Sequence, residues 1–149
     1  MRWLLAIVFV FIALATSASA ATPALPDPCS LLTRDQIVPV VGGKPTSAET
    51  GGGGWRSCTW TGPPLGYIEL HEQFMVGITR ESRAQFAMHA YRDVPKPDPL
   101  PGLGAAAFST FGGGYEIWQN GYELDLDGSY ITVYPAAAKR LAQSALNRL

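Results

Sequence analysis

Few side chains in this chain of 149 residues are grouped so that they could do chemistry. The groupings are the cysteines Cys29 and Cys58, the histidines His71 and His89, and the acidic alternation Glu123-Leu124-Asp125-Leu126-Asp127-Gly128. The alternation imitates the start of a calcium loop, with oxygen ligands at every second position and a glycine sixth. Its twelfth position is Tyr134, where such a loop needs a bidentate Glu. A strand with Leu inward and acids outward accounts for the same spacing without an ion. Zinc takes four Cys or His ligands in structural sites and three protein ligands in catalytic ones. The two cysteines here read as bonded to each other, so no metal or other cofactor is expected. His71-Glu72 lacks a second histidine four positions on, so it is not the helix motif of a metalloprotease. No Gly-x-Ser-x-Gly elbow occurs. No catalytic residue is assigned on this basis; His71 and Glu72 are the nearest approach to a hydrolase pair.

Two glycine motifs fail on context. Gly102-Leu103-Gly104-Ala105-Ala106-Ala107 has the form of a dinucleotide fingerprint, but the residues before it are proline-rich rather than a strand and no βαβ unit follows. Gly43-Lys44-Pro45-Thr46 has proline where a phosphate loop needs Ser or Thr to reach magnesium. Aromatics are more promising. Trp55, Trp60, Tyr115, Trp118, Tyr122, Tyr130 and Tyr134 load the predicted strands. Core packing is the usual fate of such residues, but Trp55, Trp60, Tyr115 and Trp118 are the candidates to line a groove for a glycan or an apolar ligand. Trp55, next to four glycines, is the best placed to be exposed.

The first residues bound the location. Arg2, an apolar run from Leu4 to Ala15 and the small residues Ala18-Ser19-Ala20 have the form of a cleavable export signal, with the cut expected after Ala20. The run is shorter than the roughly 20 apolar residues a membrane span requires. Cys29 follows Pro26-Asp27-Pro28 rather than the small-residue motif, so a lipid anchor has no acceptor there. Export carries the two thiols to an oxidising compartment, where a disulfide forms and persists, and they do not make Cys-x-x-Cys. The pair therefore reads as a covalent staple. The net charge is −1, or −2 once Arg2 is removed, and no basic run exceeds Lys139-Arg140. Nucleic acid and anionic lipid both call for a clustered cationic face, so neither is an expected partner, and no membrane contact is expected after cleavage.

Positioning falls to the elements. Residues 1–20 are the signal, 21–28 a flexible leader and 29–149 one domain. Thr33 with Gln36 three positions on has the form of a capping box and predicts a short helix from Thr33 to Val41, with Pro39 inside it and Gly42-Gly43 as the stop. Gly51 to Gly54 reads as a flexible loop, Arg56 to Thr61 as a strand closed by Gly62-Pro63-Pro64, and Tyr67 to Phe74 as an alternating strand. A helix fits Arg80 to Arg92, capped by Thr79 or Ser82, with Phe86, Ala87, Ala90 and Tyr91 on one side. Four prolines between Val94 and Gly102 predict an extended surface linker. Ala106 to Thr110, Tyr115 to Gln119, Tyr122 to Leu126 and Tyr130 to Tyr134 read as strands, with Asn120-Gly121 as a tight hairpin turn, and a last helix opens at Pro135. A glycine run followed by an aromatic strand occurs twice, at Gly51 to Trp60 and Gly112 to Trp118, hinting at a duplicated half. The expected fold is α+β: an antiparallel sheet of about five strands with three helices packed on one face and one disulfide.

Asp27-Pro28-Cys29-Ser30-Leu31-Leu32-Thr33, Gly42-Gly43, Cys58-Thr59-Trp60 and Pro101-Gly102-Leu103-Gly104-Ala105-Ala106-Ala107 together resemble the DUF3558-type family of exported bacterial proteins and lipoproteins. The resemblance spans most of the mature chain. It implies a secreted or cell-envelope domain (periplasmic in a two-membrane cell), a disulfide between Cys29 and Cys58, and no catalytic residues. The expectation for function is a non-enzymatic domain that binds an envelope protein; the alternative is a small-ligand or glycan module using the strand aromatics, and a hydrolase ranks last.

Overall fold

The computed structural model describes residues 23–66, 70–93, 98–110, 113–129 and 134–149. The expected export signal, most of the strand expected over Tyr130 to Tyr134, Tyr67 to Glu69 and the first half of the expected proline linker lie outside them. The first element among the described residues is a short 3-10 turn, Pro28–Ser30, whose Cys29 N–H donates to the Asp27 carboxylate at 2.8 Å. Helix α1, Arg34–Val41, starts at Thr33; the Gln36 side-chain oxygen accepts from the Thr33 N–H at 2.8 Å, so the capping box forms as the sequence predicts. The helix closes two residues past Pro39, with Gly42 at a positive φ of 75°.

Strand β1, Thr46–Gly52, pairs with β2, Trp55–Pro64, around Gly53-Gly54. The glycine run expected as a loop is therefore half strand and half tight turn. Both turn glycines take positive φ, which allows the reversal in two residues. β2 passes the expected stop at Gly62, and its close approach explains the glycine: a Cβ there would run into the Val41 carbonyl oxygen at the end of α1. β3, His71–Arg80, takes in the second half of the predicted alternation and continues through Met75 to Arg80, with Phe74, Val76 and Ile78 all buried. Helix α2, Arg83–Asp93, consequently begins later than expected. Ser82 caps it, its Oγ accepting from the Gln85 N–H, while Thr79 lies in β3.

Asp98–Pro99 forms the two-residue strand β4 at the sheet edge, a position that tolerates proline. β5, Ala106–Ser109, β6, Tyr115–Gln119, and β7, Tyr122–Ser129, follow, and Asn120 (φ 53°) and Gly121 (φ 84°) make the predicted hairpin turn. Helix α3, Tyr134–Leu146, ends the chain, so Tyr134, expected in a strand, is helical. Among the described residues the result is α+β: seven antiparallel strands in the order β1-β2-β3-β7-β6-β5-β4, six of them longer than two residues, with three helices and one disulfide. Two meanders, β1-β2-β3 and β4-β5-β6-β7, join back to back through β3 and β7. Among the described residues no helix is long and apolar enough to cross a membrane.

Register decides which side chains share a face. Cys58, Trp60, Phe74, Val76, Ile78, Leu124, Leu126 and Ile117 line one face and pack with Ile37, Val40 and Val41 of α1 and Ala138, Leu141, Ala142 and Ala145 of α3. The Cys29–Cys58 bond, with Cα atoms 5.0 Å apart, pins the opening turn to β2 on this face. Arg148 donates to the Ser30 carbonyl at 2.9 Å, so the end of the chain closes onto the same turn. Helix α2 is elsewhere. Phe86 and Ala90 pack on Phe108, with Ala106 and Trp118 beside them, and these sheet residues alternate with Ala107 and Ile117 of the main core. The expectation of all helices on one face is thus corrected: α1 and α3 cover one side, and α2 covers part of the other.

Candidate carboxylate–histidine site

The face that α2 only partly covers is where β7 turns its acids. Leu124 and Leu126 are fully buried in the main core, which by the two-residue period of a strand puts Glu123, Asp125 and Asp127 on the opposite side. Glu116 of β6 pairs in register with Asp125, and Trp118 with Glu123. The acids come from the calcium-like alternation, and their spacing is that of a strand.

Glu123 meets two residues from other elements. Glu81 lies between β3 and α2, where its N–H donates to the Gly121 carbonyl at 3.0 Å and its own carbonyl accepts from the Trp118 indole at 2.8 Å. Both backbone groups being held, the side chain is directed inward and the residue is only 6% exposed. His89 is carried by α2, three residues after Phe86, whose ring packs on Phe108 with centroids 5.3 Å apart. The imidazole Nδ1 stands 2.9 Å from Glu81 Oε1 and 3.8 Å from Glu123 Oε2. One ligand-capable atom from each of the three residues lies within 4.8 Å of the others.

Electrostatics at this point are strained. Burial, together with hydrogen bonding to Glu81 and the charges of Glu81, Glu116 and Asp125, pushes the Glu123 carboxyl up to about 9. Burial and the neighbouring Asp127 raise Asp125 to about 6. Glu81 Oε2 is buried and receives no hydrogen bond among the described residues. Next to the cluster a recess of about 60 Å³ is lined by Trp55, Gly77, Thr79, Glu123 and Asp125. The Trp55 indole lies across Gly77, its Nε1 3.2 Å from where a Cβ would stand, and the residue is 39% exposed.

The four aromatic candidates do not share a groove. Trp55 and Trp118 lie on the α2 face, Trp118 held to Glu81 and stacked under Arg83 at 6.0 Å; Trp60 and Tyr115 lie on the other, Trp60 just 6% exposed within the core. Cys29 and Cys58 are joined as the sequence predicts. His71 and Glu72 sit at the far end of β3 from Glu81, and His71 Nδ1 is 2.7 Å from the Gly62 carbonyl oxygen. Glu81 and His89 are the site residues that sequence reasoning does not select. The one available signal is His89 at helical spacing from Phe86; nothing local marks Glu81. No family model, no curated protein and no solved structure matches the chain.

Proposed function

We propose that this chain is an exported, non-enzymatic domain of the cell envelope or secreted fraction, and that it meets a partner protein through the tip of the β2–β3 hairpin. Leu65 and Leu70 at that tip are 45% and 43% exposed, beside strands that bury Trp60, Phe74, Val76 and Ile78, and this observation carries the reading. The Leu65 N–H donates to the Leu70 carbonyl at 2.8 Å, so the two side chains are presented on a closed ladder beside Pro63 and Pro64. Exposed aliphatic side chains on a hydrogen-bonded support are what protein interfaces use. The apolar start of the chain, the cystine and the resemblance to DUF3558-type exported proteins support a location outside the cytoplasm.

A photo-reactive residue at position 65 or 70, expressed in the source cell, is expected to give a discrete protein adduct. The same residue at the exposed Gln143 of α3 is the control. Equal labelling from all three positions would refute the hairpin as the docking element. A small-ligand reading draws on a separate observation: the exposed Trp55 ring borders the recess beside Thr79 and Asp125, an aromatic face next to polar groups as a sugar requires. Saturable quenching of Trp55 by an envelope glycan, lost in Trp55→Ala, would favour it.

A further inference from the structure

Two carboxylates and an imidazole converge at Glu81, Glu123 and His89 with no fixed cation beside them. Among the described residues neither carboxylate is paired with Lys or Arg. Arg83 is spent on the Trp118 ring, and Arg80 donates to the Pro23 carbonyl at 2.8 Å. The buried Glu81 Oε2 has no hydrogen-bond donor among the described residues, an acceptor left open within the cluster.

We propose that Glu81, His89 and Glu123 form a binding site for a zinc-type divalent cation, with a fourth position open to solvent. Ligand atoms around a tetrahedral zinc stand about 3.4 Å apart, given bonds of about 2.0–2.2 Å. The separations here, from 2.9 Å to an upper bound of 4.8 Å, bracket that value and need only side-chain rotation to meet it. Imidazole in the set selects a first-row transition ion over calcium or magnesium, which favour six or more oxygens. The support is rigid: Glu81 is held at both backbone groups, Glu123 lies in a strand paired on both sides, and α2 is seated by Phe86. His89 is partly exposed, which leaves the outer side of the cluster for water or for a donor atom of a bound molecule. The site uses none of the hairpin-tip residues, so it stands or falls separately from the proposed partner contact.

The untagged, oxidised protein, stripped with a chelator, is titrated with Zn²⁺ by calorimetry and with Co²⁺ by visible absorption. Saturation at one equivalent, a rise in melting temperature and a Co²⁺ spectrum of four- or five-coordination are expected. His89→Ala and Glu123→Gln, each checked for native circular dichroism, should weaken binding by more than about tenfold, while His71→Ala leaves it unchanged. Absence of heat and of a melting shift overturns the site. So does undiminished affinity in either ligand variant, loss on His71→Ala instead, or a response to Ca²⁺ without one to Zn²⁺.

Discussion

Glu123 illustrates how much a single carboxyl depends on its surroundings. Its folded-state proton affinity is raised to about 9, chiefly by burial, whereas in the unfolded chain it has its ordinary value of 4.5. In protein free of divalent ions the folded chain therefore keeps a proton that the unfolded chain gives up. The resulting stabilisation is complete in acid and is lost as pH climbs from about 4.5 toward about 9. Asp125 adds the same sign over a lower window, up to about 6. The melting temperature of the metal-free protein should fall between about pH 5 and about pH 8, and Glu123→Gln should flatten most of that slope. An unchanged slope in the variant would remove Glu123 as its source. Gly104 gives a steric case at the same scale. Its φ is 57°, and an added Cβ would stand 2.7 Å from Ile117 Cγ2 and 2.8 Å from the Trp118 carbonyl oxygen. Gly104→Ala should cost about 1–3 kcal/mol in urea unfolding. Gly53→Ala, with a φ of 63° but open space around it, should cost less. Neither position is distinguishable from the other glycines in sequence, because what a Cβ would meet is supplied by residues distant along the chain.

Among the elements, those with chemical punctuation are readable. The Thr33–Gln36 box, the Asn120-Gly121 turn, β6 and the polar and apolar sides of α3 all form where local residues dictate them. β1 carries no such signal: Thr46 to Gly52 has no apolar alternation, and every residue in it is exposed, so only pairing with β2 makes it a strand. The side of the sheet that α2 takes is equally illegible. Among the side chains described in it, the buried ones are Phe86 and Ala90, a short stripe that fits either face of a sheet, and the partner that fixes the choice is Phe108. The cystine is the strongest tie between elements. With the bonded positions 29 apart in sequence, the Cys29→Ser, Cys58→Ser double variant should lose about 3 kcal/mol of stability against urea, and a loss well under 1 kcal/mol would mean that packing alone seats the opening turn.

At the scale of the whole molecule, the sheet reads alike from either edge: β1-β2-β3 on one side of the centre, β7-β6-β5 on the other, with β4 beyond. Of the two glycine-then-aromatic stretches, Gly51 to Trp60 lies in β1 and β2, and the described part of the second, Gly113 to Trp118, leads into β6. β3 and β7, paired on both sides and covered by α1 and α3, should hold the slowest-exchanging amides, and β1 at its exposed edge the fastest. Faster exchange in β3 than in β1 would contradict the central pairing.

The amino-acid order alone determined what depends on near neighbours: helix caps, the hairpin turn, the alternation that turns Leu124 and Leu126 away from Glu123 and Asp125, and a cysteine pair suited to an oxidising compartment. Tertiary structure decided what depends on register between distant strands. It alone set α2 on the second face and brought Glu81, His89 and Glu123 together from a loop, a helix and a strand, because the β3–β7 pairing and the packing of Phe86 on Phe108 are contacts between residues far apart in the chain.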